Sequence, residues 1–129
     1  MISIPKNIVD EIFLQGADEL PNEACGYLAG KDGVVKKLIK LTNIDKSPEH
    51  FSLDPKEQFQ AFKNAKADGL ELISIYHTHP VTPARPSIED IRLAYDPSIS
   101  YVIAALTHKD IKSFKIKSGT VNTQEVDII

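Results

Sequence analysis

The chain has 129 residues, 42% of them hydrophobic and 26% charged, an ordinary mix for one globular domain with a sizeable core. Its net charge of −3 gives no basic field for gripping phosphates, so nucleic acid is not an expected partner. Cys25 is the only cysteine, which excludes an internal disulfide and a cysteine-cluster zinc site. No apolar run is long enough to span a membrane, and Met1 leads into no basic and then apolar leader, so the expected compartment is the cytoplasm.

Pro5 suits a first helical turn. Ile8 with Ile12, and Val9 with Phe13, recur at helical spacing, so residues 5–18 read as an amphipathic helix that Pro21-Asn22 breaks. Residues 24–29 are short and apolar, and Lys31-Asp32-Gly33 is a hairpin turn signal, with residues 34–41 as the returning strand. Residues 43–50 are polar and irregular, and Phe51-Ser52-Leu53 reads as another short strand. Asp54-Pro55 is a helix start, a capping carboxylate followed by proline at the first helical position. That helix runs through Phe59 and Phe62 to a stop at Gly69. Residues 70–79 form the central strand, and Pro80, Pro83 and Pro86 keep the following loop non-helical. Ser87 starts a third helix that Pro97 ends. Strands follow over residues 101–106, 111–117 and 121–128. The pattern is a single α/β domain over residues 1–129, a curved, mixed and largely antiparallel sheet flanked by helices.

The chemistry concentrates in His77-Thr78-His79-Pro80 with Ser87 and Asp90. Side chains alternate along a strand, so Ile73, Ile75, His77 and His79 are expected on one face, the imidazoles at its C-terminal end. Two imidazoles and a carboxylate supply three ligands for a divalent metal and leave a fourth position open, as chemically active sites do. His-x-His alone is also compatible with a chance surface pair. Ser87-x-x-Asp90 has a structural rival in the capping box, in which Ser87 caps the third helix and Asp90 reaches back to a backbone N–H. Both readings are partly compatible, because positions three apart share one helix face. Glu23, just before the first long strand, is the candidate base for a water, although composition favours an exposed loop carboxylate there. Cys25 reads as a small buried residue, and His50 and His108 as solvated loop residues.

Taken together, Glu23, His77-Thr78-His79-Pro80, Ser87 and Asp90 resemble the JAMM signature of the MPN-plus metalloproteases, with residues 80–86 as the seven-residue spacer. Glu23-Ala24-Cys25-Gly26-Tyr27-Leu28, Asn43, Phe51-Ser52-Leu53-Asp54-Pro55, Gly69-Leu70-Glu71, Ile75-Tyr76 and Pro83-Ala84-Arg85-Pro86 are similar to small prokaryotic members, over roughly residues 5–117. The resemblance implies one Zn2+ per chain on His77, His79 and Asp90, with a water in the fourth position. It implies Glu23 as general acid/base, passing the water's proton to the leaving amine, and Ser87 as a stabiliser of the tetrahedral oxyanion. Because the Ser87 hydroxyl is taken to serve either a cap or an oxyanion, its backbone N–H is expected to take one of those tasks. The implied substrate is a ubiquitin-like sulfur-carrier protein, cut at a peptide or isopeptide bond at its C-terminal Gly-Gly. The alternative is a non-catalytic MPN-type interaction module. A zinc nucleobase deaminase needs His-x-Glu and Pro-Cys-x-x-Cys, which one cysteine cannot supply.

Overall fold

A computed structural model describes all 129 residues. The elements in order are β1 (Ile2–Ile4), α1 (Lys6–Asp18), β2 (Cys25–Lys31), β3 (Val34–Leu41), α2 (Pro55–Ala67), β4 (Glu71–His79), α3 (Ile88–Leu93), β5 (Ser100–Ala105), β6 (Asp110–Lys117), β7 (Thr120–Gln124) and β8 (Val126–Ile128). All eight strands form one mixed sheet in the order β7-β6-β5-β4-β2-β3-β1-β8. The β2–β3, β2–β4, β5–β6 and β6–β7 pairings are antiparallel, and β1–β3, β1–β8 and β4–β5 are parallel. Only the residue Glu125 separates β7 at one sheet edge from β8 at the other. The sheet is therefore curled round until its two edges nearly meet.

Apolar periodicity explains the layers. Ile8, Val9 and Ile12 of α1 pack on Leu28, Val35, Tyr76, Val102 and Ala104 on one face of the sheet. Ile103, Ala105, Phe114 and Ile116 form a second cluster with Ala84. Consecutive β5 residues thus alternate between two buried faces, which is why that strand reads as an unbroken apolar run. A third cluster, Cys25, Leu41 and Ala61, lies between the sheet and α2. The β2–β3 turn is the expected hairpin, with Asp32 and Gly33 both at positive φ (53° and 78°), as a two-residue primed turn requires.

Four sequence expectations need correction, and one strand was not expected. Phe51-Ser52-Leu53 is not a strand; the Ser52 N–H bonds the Asn43 side chain instead of a ladder partner. The single strand expected over residues 121–128 is two, because Glu125 turns the chain from β6 onto β1, and its carbonyl accepts the Ile2 N–H. The unexpected β1 exists through that contact and its pairing with β8. The third helix stops at Leu93, short of Pro97. Asp96 is already fixed outside the helix, its N–H on the Tyr101 hydroxyl and its carboxylate on Ser98, and the residue before a proline disfavours helix anyway. Finally, Ile73 does not share the histidines' side. The β2–β4 register shifts between Leu28 and Ala29, skipping Ile73, and this bulge turns Ile73 into the α1-side cluster.

Two strands approach closely at Gly26. A β-carbon there would run into the Ile39 carbonyl oxygen and the Tyr76 ring, neither of which can move without displacing β3 or the core. Gly26→Ala is expected to cost about 1–3 kcal/mol through overpacking, seen as a lower midpoint in urea unfolding. Gly69→Ala meets nothing within 4 Å and is expected to cost only the strain of its left-handed φ.

Candidate metal centre

β4 delivers the two imidazoles. With Thr78 turned to the opposite side, His77 and His79 point the same way, 5% and 3% exposed. The parallel β4–β5 pairing forces the chain to cross back from the end of β4 to the start of β5, and that crossover carries α3. The first turn of α3 thereby meets the histidines. Asp90 Oδ2 lies 3.2 Å from His77 Nε2 and 3.1 Å from His79 Nε2, and the two Nε2 atoms are 3.1 Å apart.

The cap expected at Ser87 and Asp90 is present. The Ser87 Oγ accepts the Asp90 N–H at 3.0 Å, and Asp90 Oδ2 accepts the Ser87 N–H at 3.0 Å, a complete capping box. The same Oδ2 touches both histidines. The Ser87 backbone N–H is thus spent on the cap. Capping uses the hydroxyl only as an acceptor, so its O–H hydrogen stays available to donate. Ser87 itself is exposed.

Glu23 is not an exposed loop residue. It is 3% exposed, and its Oε1 is a buried side-chain oxygen with no hydrogen-bond partner. Glu23, His77 and His79 bring ligand atoms within 4.8 Å of one another. Burial pushes its carboxyl up to about 8, with His79 opposing the shift and Asp90 adding to it. Asp90 moves the other way. Burial works to raise it, but the hydrogen bonds of His77 and His79 outweigh that and hold it well below the usual carboxylate range. His79 is raised: burial disfavours its charged form, and the bonds to Asp90 and to the Pro83 carbonyl prevail.

The donor set suits a divalent cation. His79 Nδ1 donates to the Pro83 carbonyl at 2.9 Å, which directs the Nε2 lone pair toward His77 and Asp90. Three electron-rich atoms then face each other at 3.1–3.2 Å, an arrangement that only a shared proton or a cation holds together. Ligands on a tetrahedral zinc, with bonds of about 2.0–2.1 Å, stand roughly 3.3–3.4 Å apart, close to these separations.

Beside this cluster opens a cleft of about 500 Å3, with His77 and Asp90 at one end and Phe51, Ile75, Leu93, Tyr95 and Tyr101 among its walls. The Phe51 ring lies against His77, centroids 4.8 Å apart. His50, expected to be merely solvated, also lines the cleft and bonds Asp45 at 3.0 Å. Cys25 is fully buried as expected, and burial raises its thiol to about 12, an inert form.

Two residues near the site were matched in the sequence reading but given no role there. Thr78 is fully buried, its hydroxyl accepting the Ala24 N–H at 2.8 Å and its N–H donating to the Ala24 carbonyl at 2.9 Å. This fastens the residue after Glu23 to the residue between the histidines. Asn43 bonds the Glu23 carbonyl at 3.0 Å. A hydroxyl inside an otherwise apolar strand was the available signal for Thr78, and for Asn43 its place in the resemblance to small prokaryotic members.

Known proteins resemble this chain throughout its length. The family model described as prokaryotic homologs of the JAB domain matches residues 5–117. The CysO-cysteine peptidase of Mycobacterium tuberculosis is 32% identical over 135 residues, covering 100% of this chain and 92% of the relative. A probable TtuB-protein conjugate cleaving protease of Thermus thermophilus is 35% identical over 95 residues, covering 73% of this chain and 64% of the relative. A protein of Desulfitobacterium hafniense, known from its solution structure, is 45% identical with a TM-score of 0.92, covering 100% of this chain and 93% of the other. The chain belongs to the prokaryotic homologs of the JAB domain, as a small JAMM/MPN-type hydrolase.

Proposed function

We propose that this protein is a zinc-dependent peptidase, acting in the cytoplasm as a single catalytic domain. It hydrolyses a peptide or isopeptide bond at the C-terminal Gly-Gly of a ubiquitin-like sulfur-carrier protein. The observation that carries this reading is the meeting of His77 Nε2, His79 Nε2 and Asp90 Oδ2 within 3.2 Å, beside the buried, unpartnered carboxylate of Glu23. The substrate class draws support from relatives named for CysO-cysteine and for TtuB-protein conjugates.

His77, His79 and Asp90 would hold one Zn2+. Bound there, it supplies Lewis acidity, which acidifies water and polarises a carbonyl oxygen. The chain's own groups do the rest. Asp90 Oδ2 stays ionised, since its carboxyl lies far below neutral pH, so it is a ligand throughout the working range. Glu23 stands beside the imidazoles, the ligand atoms of the three within 4.8 Å of one another. Its carboxylate takes the proton of the attacking water and delivers it to the leaving nitrogen. Its elevated affinity for a proton matches that shuttle, because transfer works best when donor and acceptor are near balance. The free O–H hydrogen of Ser87 donates to the developing oxyanion. The cleft lined by Phe51 and Tyr95 receives the substrate segment flanking the scissile bond.

Purified protein is expected to contain about one zinc per chain by elemental analysis and to release a residue appended after the Gly-Gly of a small carrier protein, read by mass spectrometry. Glu23→Gln is expected to keep its zinc and lose about 10²–10⁴-fold in kcat. A metal-free protein, or full activity in that variant, contradicts the proposal. Asp90→Ala and Ser87→Ala separate the two roles of the cap. Both are expected to lose about 1 kcal/mol of helix stability, but only Asp90→Ala releases the metal, whereas Ser87→Ala retains it and slows turnover.

A further inference from the structure

The group that fixes Glu23 lies outside the JAMM residues. Glu23 lies two residues before β2, and its own backbone is tied at both its N–H and its carbonyl. Its N–H donates to the Ser47 carbonyl at 2.8 Å, and its carbonyl accepts from Asn43 Nδ2 at 3.0 Å. Asn43 Nδ2 also donates to the His50 carbonyl at 3.1 Å. On its other side, Asn43 Oδ1 accepts the N–H groups of Asp45 at 3.1 Å and Ser52 at 3.3 Å. A primary amide offers two donor hydrogens and two acceptor lone pairs, and here all four are used. Asn43 is 4% exposed, so water does not replace a bond that is lost. No other side chain of this size offers two donors and two acceptors.

The consequence is geometric. Glu23 lies two residues before β2, and a carboxylate without a hydrogen bond of its own is not held by its tip. Its backbone is held on the loop side by Asn43 and Ser47, and its neighbour Ala24 is held on the sheet side by Thr78. The bond to the Glu23 carbonyl comes from the Asn43 amide.

We propose that Asn43 is a positioning residue for the hydrolysis: by tying the Glu23 carbonyl to the 43–52 loop, it sets where the Glu23 carboxylate stands relative to His77 and His79. Asn43 touches neither substrate nor metal ligand and acts through Glu23 alone. This rests on the reading of Glu23 as the proton carrier.

Asn43→Ala and Asn43→Asp test it. The aspartate keeps the two accepted bonds, from Asp45 and Ser52, and removes both donated ones, to the Glu23 and His50 carbonyls. Both variants, assayed on a carrier protein extended by one residue beyond Gly-Gly, are expected to lose about 10–100-fold in kcat. KM and zinc content are expected to stay within about threefold, since a displacement near 1 Å at a reacting group costs on the order of 10²-fold. Amide exchange by NMR supplies a readout without turnover. The Glu23 N–H is expected to exchange at least about tenfold faster in both variants, while the β4 amides keep their protection. A kcat within about threefold of the unsubstituted protein overturns the proposal. So does unchanged exchange at Glu23, or exchange that rises equally in β4. If the unsubstituted protein is inactive on this carrier, the peptidase reading falls, and the Glu23 exchange rate alone then decides whether Asn43 holds that residue.

Discussion

A single carboxylate oxygen, Oδ2 of Asp90, joins the sheet to the crossover that covers it. It accepts the Ser87 N–H that closes the first turn of α3, and it stands against both imidazoles at the end of β4. A helix of six residues with no fully buried side chain is held by its cap, by this contact and by Ile91 packed on the second cluster. The cleft beside the histidines, with Leu93 and Tyr95 in its wall, exists because α3 is anchored at that point.

The opposite side of the histidines is built on a different principle. Glu23 is buried with no hydrogen bond to its Oε1, an arrangement that costs stability and is uncommon in folded proteins. The neighbours explain why it can persist. Burial shifts its carboxyl toward the protonated form, which lowers the charge that must be buried, and its backbone is clamped from both sides. Two carboxylates thus flank one pair of imidazoles with opposed environments. Asp90 is bonded and held ionised, and Glu23 is unbonded with a raised proton affinity. Such a divergence is what the proposed roles of ligand and proton carrier call for.

Much of this was legible in the residues. The strand that carries His77 and His79 followed from alternation, α2 from Asp54-Pro55, and the hairpin turn from Asp32-Gly33, because each depends on neighbours within a few positions. Ser87 and Asp90 were legible as a cap, which the structure contains, and the same Asp90 oxygen faces both imidazoles. Other features depend on distant partners and were not legible. The bulge that turns Ile73 away from the histidines comes from the register with β2. The division of the last strand comes from the curl that brings Glu125 to Ile2. Phe51-Ser52-Leu53 has the composition of a strand, yet its central N–H is claimed by the Asn43 side chain.

The sequence by itself determined the reactive groups and their spacing, the family they resemble, and the elements on which they ride. It did so because alternation, capping and turn chemistry are local. Only the tertiary structure decided that Glu23 is buried and unpartnered, that Ser87 keeps an O–H hydrogen after capping, and that Asn43 ties a loop to the strand beginning at Cys25. Those outcomes turn on which polar groups meet across tens of residues, and hydrogen-bond partners at that range are set by packing.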